Sequence, residues 1–479
     1  MKDSKGASML ACVALALSPS LLAQAPMDDA LWVASRGSTT LTKYSRFGEV
    51  LQTVDMTSNN FTLRGVFRAP DGKLWVVNFI TQTFTICDRN GKVIKNVTTN
   101  SGGSPYAIAF DKRGYAYITE TSTVAEYKPD GTLARSFTVP SAALGIAVDY
   151  STPAQAGNVW VAHRNGPPGQ ISKIDIATGT VTTYTLPTTS TMLPTTIVAT
   201  YEGIAKASNI WVGGDRSTNL YKLDQSGTVS GPYAMPNGYL YTSGMAIDAK
   251  NRLWAVGRAG VCAVVDTSNG NTLKTMSVAP LNNDCGGVVM DSIGRPWIMD
   301  RGFSTPCTFQ RYDDQGVLEL QTPDGVNTYG MIDASGFSYA YVTNPFGDED
   351  GDGAVNFTEI TNGTSPYDAL STPALSFDTR GVSRVGNTPY LDAVSTATAP
   401  MVAIFSAKTG TPIKVPGMNG EFLLDLPTVF FTTAFQSPGK LNLPIPANNA
   451  LAGISYQLQG LLVAGTPTFS NLSGIYISP

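Results

Sequence analysis

Short apolar runs, each built around one aromatic residue, recur along this chain at a nearly constant interval. They read LWVA at Trp32, LWVV at Trp75, YAYI at Tyr117, VWVA at Trp160, IWVG at Trp211, LWAV at Trp254, PWIM at Trp297 and YAYV at Tyr341, spaced by 43, 42, 43, 51, 43, 43 and 44 residues. All six tryptophans of the chain fall in this register. A fixed period of this size is the signature of a repeat architecture.

Each unit reads as short strands separated by polar turns. Gly65, Gly145, Gly244, Gly287 and Gly330 recur ten to fifteen positions before the aromatic. After it come segments such as FTICDRNGKVIKNV, AEYKPDGTLARSF and SKIDIATGTVTTY, in which Asn-Gly, Asp-Gly and Thr-Gly sit between β-rich runs. These dipeptides are hairpin signals. Four strands per unit, repeated radially, make a β-propeller, with the glycine strand innermost and the aromatic of the second strand packed between sheets. The first copy has no strand before it, and the last, GMIDASGFSYAYV, has little after its second strand. A C-terminal strand that completes the N-terminal blade closes the ring and removes its edges. Six complete units plus one composite give seven blades over residues 26–343, with six and eight as the alternative counts.

Composition sets the class and compartment. Only 14% of the 479 residues are charged and the net charge is −4. This predicts an all-β extracytoplasmic protein of two or three domains, with no nucleic-acid or membrane-surface partner. Lys2 and Lys5 precede the apolar run MLACVALAL, and LLAQA offers a small-x-small cleavage site at Ala23 and Ala25. Residues 1–25 therefore read as a signal peptide, and the mature chain as a soluble monomer that is secreted, periplasmic or on the cell surface, with no membrane insertion. Cys87, Cys262, Cys285 and Cys307 remain after cleavage, where disulfides can form. Cys285 enters its first strand from the top and Cys307 falls in the next top loop, so these two are the expected bridge. Cys262 is the rival partner, and Cys87 is expected as a buried thiol.

The stretch VWVAHRNGPPGQISKIDIATGTVTTYTLP resembles the repeats of streptogramin-lyase-type (virginiamycin B lyase) propellers, which are related in style to NHL and SMP-30 propellers. The resemblance covers roughly residues 28–343 and implies the propeller fold. It also implies a histidine base and a divalent metal near the mouth of the ring. This chain has a single histidine, His163, so a histidine-rich metal site cannot be built. His163 lies three positions after its aromatic, as do Glu120 and Asp300 after theirs. These three are the candidate acid–base or metal set; a hydrogen-bonded histidine in a rim loop is the plainer reading.

Arginine is concentrated in the same register. Arg36, Arg164, Arg258 and Arg301 stand four positions after the aromatic and Arg216 five, while Arg64 precedes a first strand. One reading pairs each arginine with an acidic neighbour such as Asp215 or Asp300 to brace the blades. The other is a cationic mouth for a carboxylate, sulfate or acidic sugar, which guanidinium forks grip with two hydrogen bonds.

Beyond the repeats, GDEDGDGAVNFTEITNGTSPYD spans 347–368. It fits the calcium-loop spacing through Asp348, Asp350, Asp352, Gly353 and Glu359, with Ala354 offering a carbonyl and Asn356 a water-mediated contact. The stretch resembles thrombospondin type-3-like and dockerin-like loops, and residues 344–370 are expected to bind Ca²⁺ and stiffen the linker. Residues 371–479 lose the period and keep short β-like runs such as MVAIFSA, VFFTTAF and SYQLQGLLVAG. A small C-terminal β-sandwich is expected. Its ending resembles a module of exported planctomycete-type proteins, and that resemblance implies no activity.

The expected function is an exported binding or scaffold propeller whose partner is a small anionic molecule, a glycan or a cell-surface protein. The alternative is a streptogramin lyase-like or lactonase-like enzyme acting at the mouth.

Overall fold

The computed structural model describes residues 30–326 apart from 36–38, 46–47, 49, 57–62, 70–72, 89, 112, 150–156, 201–207, 237–240, 249–250, 279–284, 291–294, 301–305 and 314. It also describes 332–334, and 376–476 apart from 381–389, 396–397, 408, 420–421, 438, 445 and 447–454. The chain divides into two compact units, one holding the repeats and the other the C-terminal strands.

The repeat unit is a β-propeller of antiparallel four-stranded sheets. Seven such sheets are present among its described residues. The sheet around His163 shows the plan: Ala143–Val148, Asn158–His163, Gln170–Asp175 and Val181–Thr185 run in chain order from the inside outwards. The second strand, NVWVAH, is buried along its whole length, whereas the fourth, VTTYT, is largely solvated. Burial on both faces explains the continuous apolar runs of the second strands, and solvation explains the threonine-rich outer ones. Turns between the third and fourth strands carry the predicted glycines in the left-handed region, as at Gly131 and Gly179, each with φ +77°. Both sites need a positive φ that only glycine adopts at no cost.

First strands form the inner wall. Leu63–Arg68 touches Pro105–Phe110, which touches Ala143–Val148; the series continues through Leu193–Ala199, Thr242–Ile247, Cys285–Met290 and Ile332–Ala334 and returns to Leu63–Arg68. The inner strands approach very closely. A Cβ on Gly244 would stand 2.6 Å from Gly287 Cα, and one on Gly145 would stand 2.7 Å from the Thr195 carbonyl oxygen. The ring closes as the sequence predicts. Ile332–Ala334 pairs antiparallel with the strand Ala30–Ser35, placing Leu31 opposite Ala334, and completes the sheet of the first repeat.

The seven aromatics of the register that lie among the described residues, six tryptophans and Tyr117, are all 0% exposed. Some also anchor by their polar end. Trp254 Nε1 donates to Asp248 Oδ2 at 2.9 Å, and Trp160 Nε1 donates to Asp149, which also takes Gln225 Nε2 of the next sheet at 2.7 Å.

The expected Cys285–Cys307 bridge rests on the Cys307 side chain, which lies outside the described residues. Cys285 is buried in the apolar cluster that also contains Cys262. Burial first, and then the neighbouring Cys285, push the Cys262 thiol above its ordinary range. The backbone of Cys307 lies in the third strand, Pro306–Tyr312, opposite Asp324, and not in the expected top loop. Cys87 is a buried thiol whose pKa burial pushes up to about 12.

In the C-terminal unit, a three-stranded sheet of Ser376–Arg380, Tyr390–Val394 and Gly439–Asn442 accompanies a four-stranded sheet of Val429–Ser437, Ala399–Ser406, Ser455–Leu462 and Thr468–Tyr476. The two share a core that includes Leu391, Met401, Phe405 and Leu458. This is the expected small β-sandwich.

Replacing Trp254 by alanine is expected to cost about 3–5 kcal/mol of propeller stability, measured by urea unfolding, because a fully buried indole leaves a cavity. Trp254→Phe keeps most of the volume and should cost about 1–3 kcal/mol, chiefly for the hydrogen bond that Asp248 loses.

Candidate functional site

The mouth of the ring is built by a repeated irregularity. Pairing between the first and second strands skips at the same level in sheet after sheet: between Leu63 and Gly65, Pro105 and Ile108, Ala143 and Ile146, Pro194 and Thr196, Thr242 and Gly244, and Cys285 and Gly287. A bulge re-aims the extra residue. The residues so displaced include Arg64, Tyr106, Leu144, Thr195, Ser243 and Gly286, and all six line one cavity of about 400 Å³. Arg164, Asp215 and Arg258, which follow the second strands of their sheets or end them, complete its charged wall.

The cavity's electrostatics follow from these few groups. Arg64 lies over the Tyr106 ring at 4.0 Å and the Phe79 ring at 5.3 Å, two cation–π contacts that hold the guanidinium in place. Arg164 Nε donates to Asp215 Oδ2 at 2.8 Å. With the Arg164 side chain 51% exposed, that pair is worth about 1 kcal/mol or less. Arg258 is held through its backbone, its N–H on the Tyr241 carbonyl at 3.1 Å and its carbonyl on the Cys285 N–H at 3.3 Å. Its guanidinium forms no hydrogen bond or ion pair with the described residues. Among the described residues of the lining stand three arginines and one carboxylate.

Sequence reasoning located part of this wall. Arg64, Arg164 and Arg258 come together as a cationic mouth, and Arg164 also makes the expected pair with Asp215. Arg216 does not join them: its backbone has φ +61°, and its side chain is exposed outside the lining. Arg36 and Arg301 lie outside the described residues. Tyr106, Thr195, Thr196, Thr242 and Ser243 were not anticipated. A usable signal existed, since Arg64, Leu144, Ser243 and Gly286 each stand directly before an inner-strand glycine.

Glu120 and His163 are not in the lining. Both are 0% exposed. The Glu120 carboxylate accepts from Ser101 N at 3.0 Å, Ser101 Oγ at 2.8 Å and Tyr127 Oη at 2.9 Å. His163 Nε2 shares a hydrogen bond with Ser172 Oγ at 2.8 Å. Strand side chains stand perpendicular to their sheet. In a radial array that direction leads into the layer between sheets and not toward the axis. Asp300 ends the strand Pro296–Asp300, and its side chain is outside the described residues. Among the described residues no three His, Cys, Asp or Glu side chains are grouped to hold a metal. The expected calcium ligands Asp348, Asp350, Asp352, Ala354, Asn356 and Glu359 all lie outside the described residues.

Solved structures share the fold. The selenomethionine-substituted virginiamycin B lyase from Staphylococcus aureus matches with a TM-score of 0.51 at 16% identity, covering 58% of this chain and 91% of that one. A streptogramin B lyase structure matches at 0.49 and 14% identity over 58% and 91% of the two chains. The Neurospora crassa Pan2 WD40 domain matches at 0.45 and 11% identity over 57% and 83%. No protein-family model and no curated protein matches the chain. At such identities the likeness to the Staphylococcus enzyme shows the propeller fold alone.

The buried histidine makes a prediction about pH. Burial pushes His163 from 6.5 down to about 4, opposed by the backbone of Pro140 and Ser141. Below pH 6.5 the unfolded chain takes up a proton that the folded chain refuses until about pH 4, so stability falls as pH falls across that window. The loss amounts to about 3 kcal/mol at its limit. Between pH 7 and 4 the wild type should lose up to about 3 kcal/mol more stability than His163→Gln, measured by urea unfolding at each pH.

Proposed function

We propose that this protein is an exported β-propeller that binds a small anionic ligand in the arginine-lined mouth of its ring. Seven blades carry that mouth, with the strand Ile332–Ala334 as the closing piece. The carrying observation is that Arg164, in a half-exposed pair, and Arg258, whose guanidinium has no hydrogen bond or ion pair with the described residues, line one cavity of about 400 Å³ in a protein of net charge −4. The cavity volume is that of a small-molecule site. Guanidinium groups fit planar carboxylates and sulfates with paired hydrogen bonds, which an ammonium cannot reproduce. The N-terminal apolar run with its small-x-small site supports export. Replacing Arg164 and Arg258 together by alanine should abolish binding of carboxylate and sulfate probes such as citrate, measured by calorimetry, and leave the circular dichroism spectrum unchanged. Wild-type binding should weaken between 50 and 500 mM salt, because exposed charge interactions are screened. Unchanged citrate affinity in the double variant would sink the proposal.

The sequence that joins the two units is proposed to hold one Ca²⁺ through Asp348, Asp350, Asp352, Asn356, Glu359 and the Ala354 carbonyl. Support comes from the loop spacing alone, which brings hard oxygens into a short turn as calcium requires. Titration of the chelated protein with millimolar Ca²⁺ should release heat and raise the melting temperature. Asp350→Ala should remove both effects.

A further inference from the structure

Three features of the mouth bear on what kind of anion it takes. Ser243 Oγ donates its proton to the Val256 carbonyl at 3.0 Å. Thr196 Oγ1 has two longer contacts, the Thr242 carbonyl at 3.4 Å, to which it can only donate, and Thr195 Oγ1 at 3.5 Å, which can donate to it. Asp215 spends Oδ2 on Arg164 Nε at 2.8 Å, and its Oδ1 has no hydrogen bond with the described residues. A hydroxyl has one proton and two lone pairs. With the protons of Ser243 and Thr196 directed at backbone, these side chains meet the cavity as acceptors, and so does Asp215 Oδ1. The wall therefore offers two kinds of group. Arg64, Arg164 and Arg258 supply donors and positive charge, and the strand residues between them supply acceptors.

Acceptors do nothing for a bare anion. Sulfate, phosphate dianion or a simple carboxylate brings only lone pairs, and would meet Ser243, Thr196 and Asp215 with repulsion or through water. A matching ligand carries an anionic group for the arginines and several O–H donors within the same small volume. Resting on the anion-binding reading above, we infer that the mouth takes an acidic sugar of the uronic acid class. Its carboxylate lies on the Arg258 fork, whose backbone is already fixed by Tyr241 and Cys285. Its ring hydroxyls donate to Ser243, Thr196 and Asp215. The cavity of about 400 Å³ suits one or two sugar rings and excludes a folded partner.

The test compares three probes of similar size on the full chain: D-glucuronate, cyclohexanecarboxylate, which has the charge without the hydroxyls, and D-glucose, which has the hydroxyls without the charge. Glucuronate should bind at least about tenfold more tightly than either, since each hydrogen bond to a charged or buried partner is worth about one decade of affinity. Ser243→Ala combined with Thr196→Val should weaken glucuronate by about tenfold and leave cyclohexanecarboxylate unchanged. Equal binding of glucuronate and cyclohexanecarboxylate would overturn the sugar inference and leave the anion reading standing. Equal binding of glucuronate and glucose, or no binding of either anion, would overturn both.

Discussion

Every sheet of the ring has two faces, and only its neighbours can bury them. A single four-stranded sheet of this composition has no independent core, so the layer of apolar side chains between sheets is the interaction on which the rest depends. Each layer is centred on the aromatic of a second strand, and all six tryptophans are 0% exposed. Burying about 150–250 Å² of indole at about 25 cal/mol per Å² contributes roughly 4–6 kcal/mol at each position. The surface ion pairs contribute about 1 kcal/mol or less each. Closure follows from the same need. Without Ile332–Ala334 across Leu31–Val33, the sheet carrying Trp32 would lack its inner strand and leave an open edge.

The radial arrangement also decides which residues reach a ligand. A side chain perpendicular to its sheet enters an inter-sheet layer, so most strand positions are committed to packing whatever their chemistry. Glu120 and His163 show the consequence: two residues with catalytic capability are turned into buried hydrogen-bonding posts. Access to the axis requires a departure from regular pairing, and the bulge in successive inner strands provides it. One device repeated around the ring thus separates the two tasks, with most regular residues holding the sheets and the displaced ones, joined by the adjacent Thr196 and Thr242, facing the mouth.

The fold was legible because its determinant is periodic. Trp32 to Trp297 mark the same structural position in each unit, and an error in one unit is corrected by the others. The closing strand was legible for a related reason, since the first unit lacks the piece that the last one supplies. The mouth was legible only where chemistry was concentrated against a sparse background, as for Arg164 and Arg258. Ser243 and Thr195 are two among many hydroxyl residues, and their place depends on a register slip that no residue type announces. His163 drew a functional reading from its rarity, but rarity carries no information about direction. Arg216 differs from its counterparts by one residue of spacing, which is enough to give it a φ of +61° and take it out of the lining.

Size alone would direct attention elsewhere. A larger cavity, of about 590 Å³, lies between two sheets beside Arg113, Tyr115, Glu126 and Arg135. Its arginines are already occupied. Arg113 Nη2 bonds Glu126 Oε1 at 3.1 Å and Tyr117 Oη at 3.0 Å, and Arg135 bonds both Glu126 and the Ile176 carbonyl. Asp111 joins the same network through the Tyr117 hydroxyl at 3.2 Å, so two carboxylates balance two guanidiniums. The purpose of that network is visible in the neighbouring sheets. Where Trp160 and Trp254 place an indole N–H on Asp149 and Asp248, the shorter Tyr117 reaches its acids through a hydroxyl, and the arginines compensate the second buried carboxylate. Those cations are structural, and an incoming anion would have to displace buried partners at several kcal/mol. At the mouth an anion meets Arg258 with no partner among the described residues to displace, and Arg164 in a weak, half-exposed pair. Uncommitted charge, not volume, marks the mouth as the place where this propeller can take a ligand.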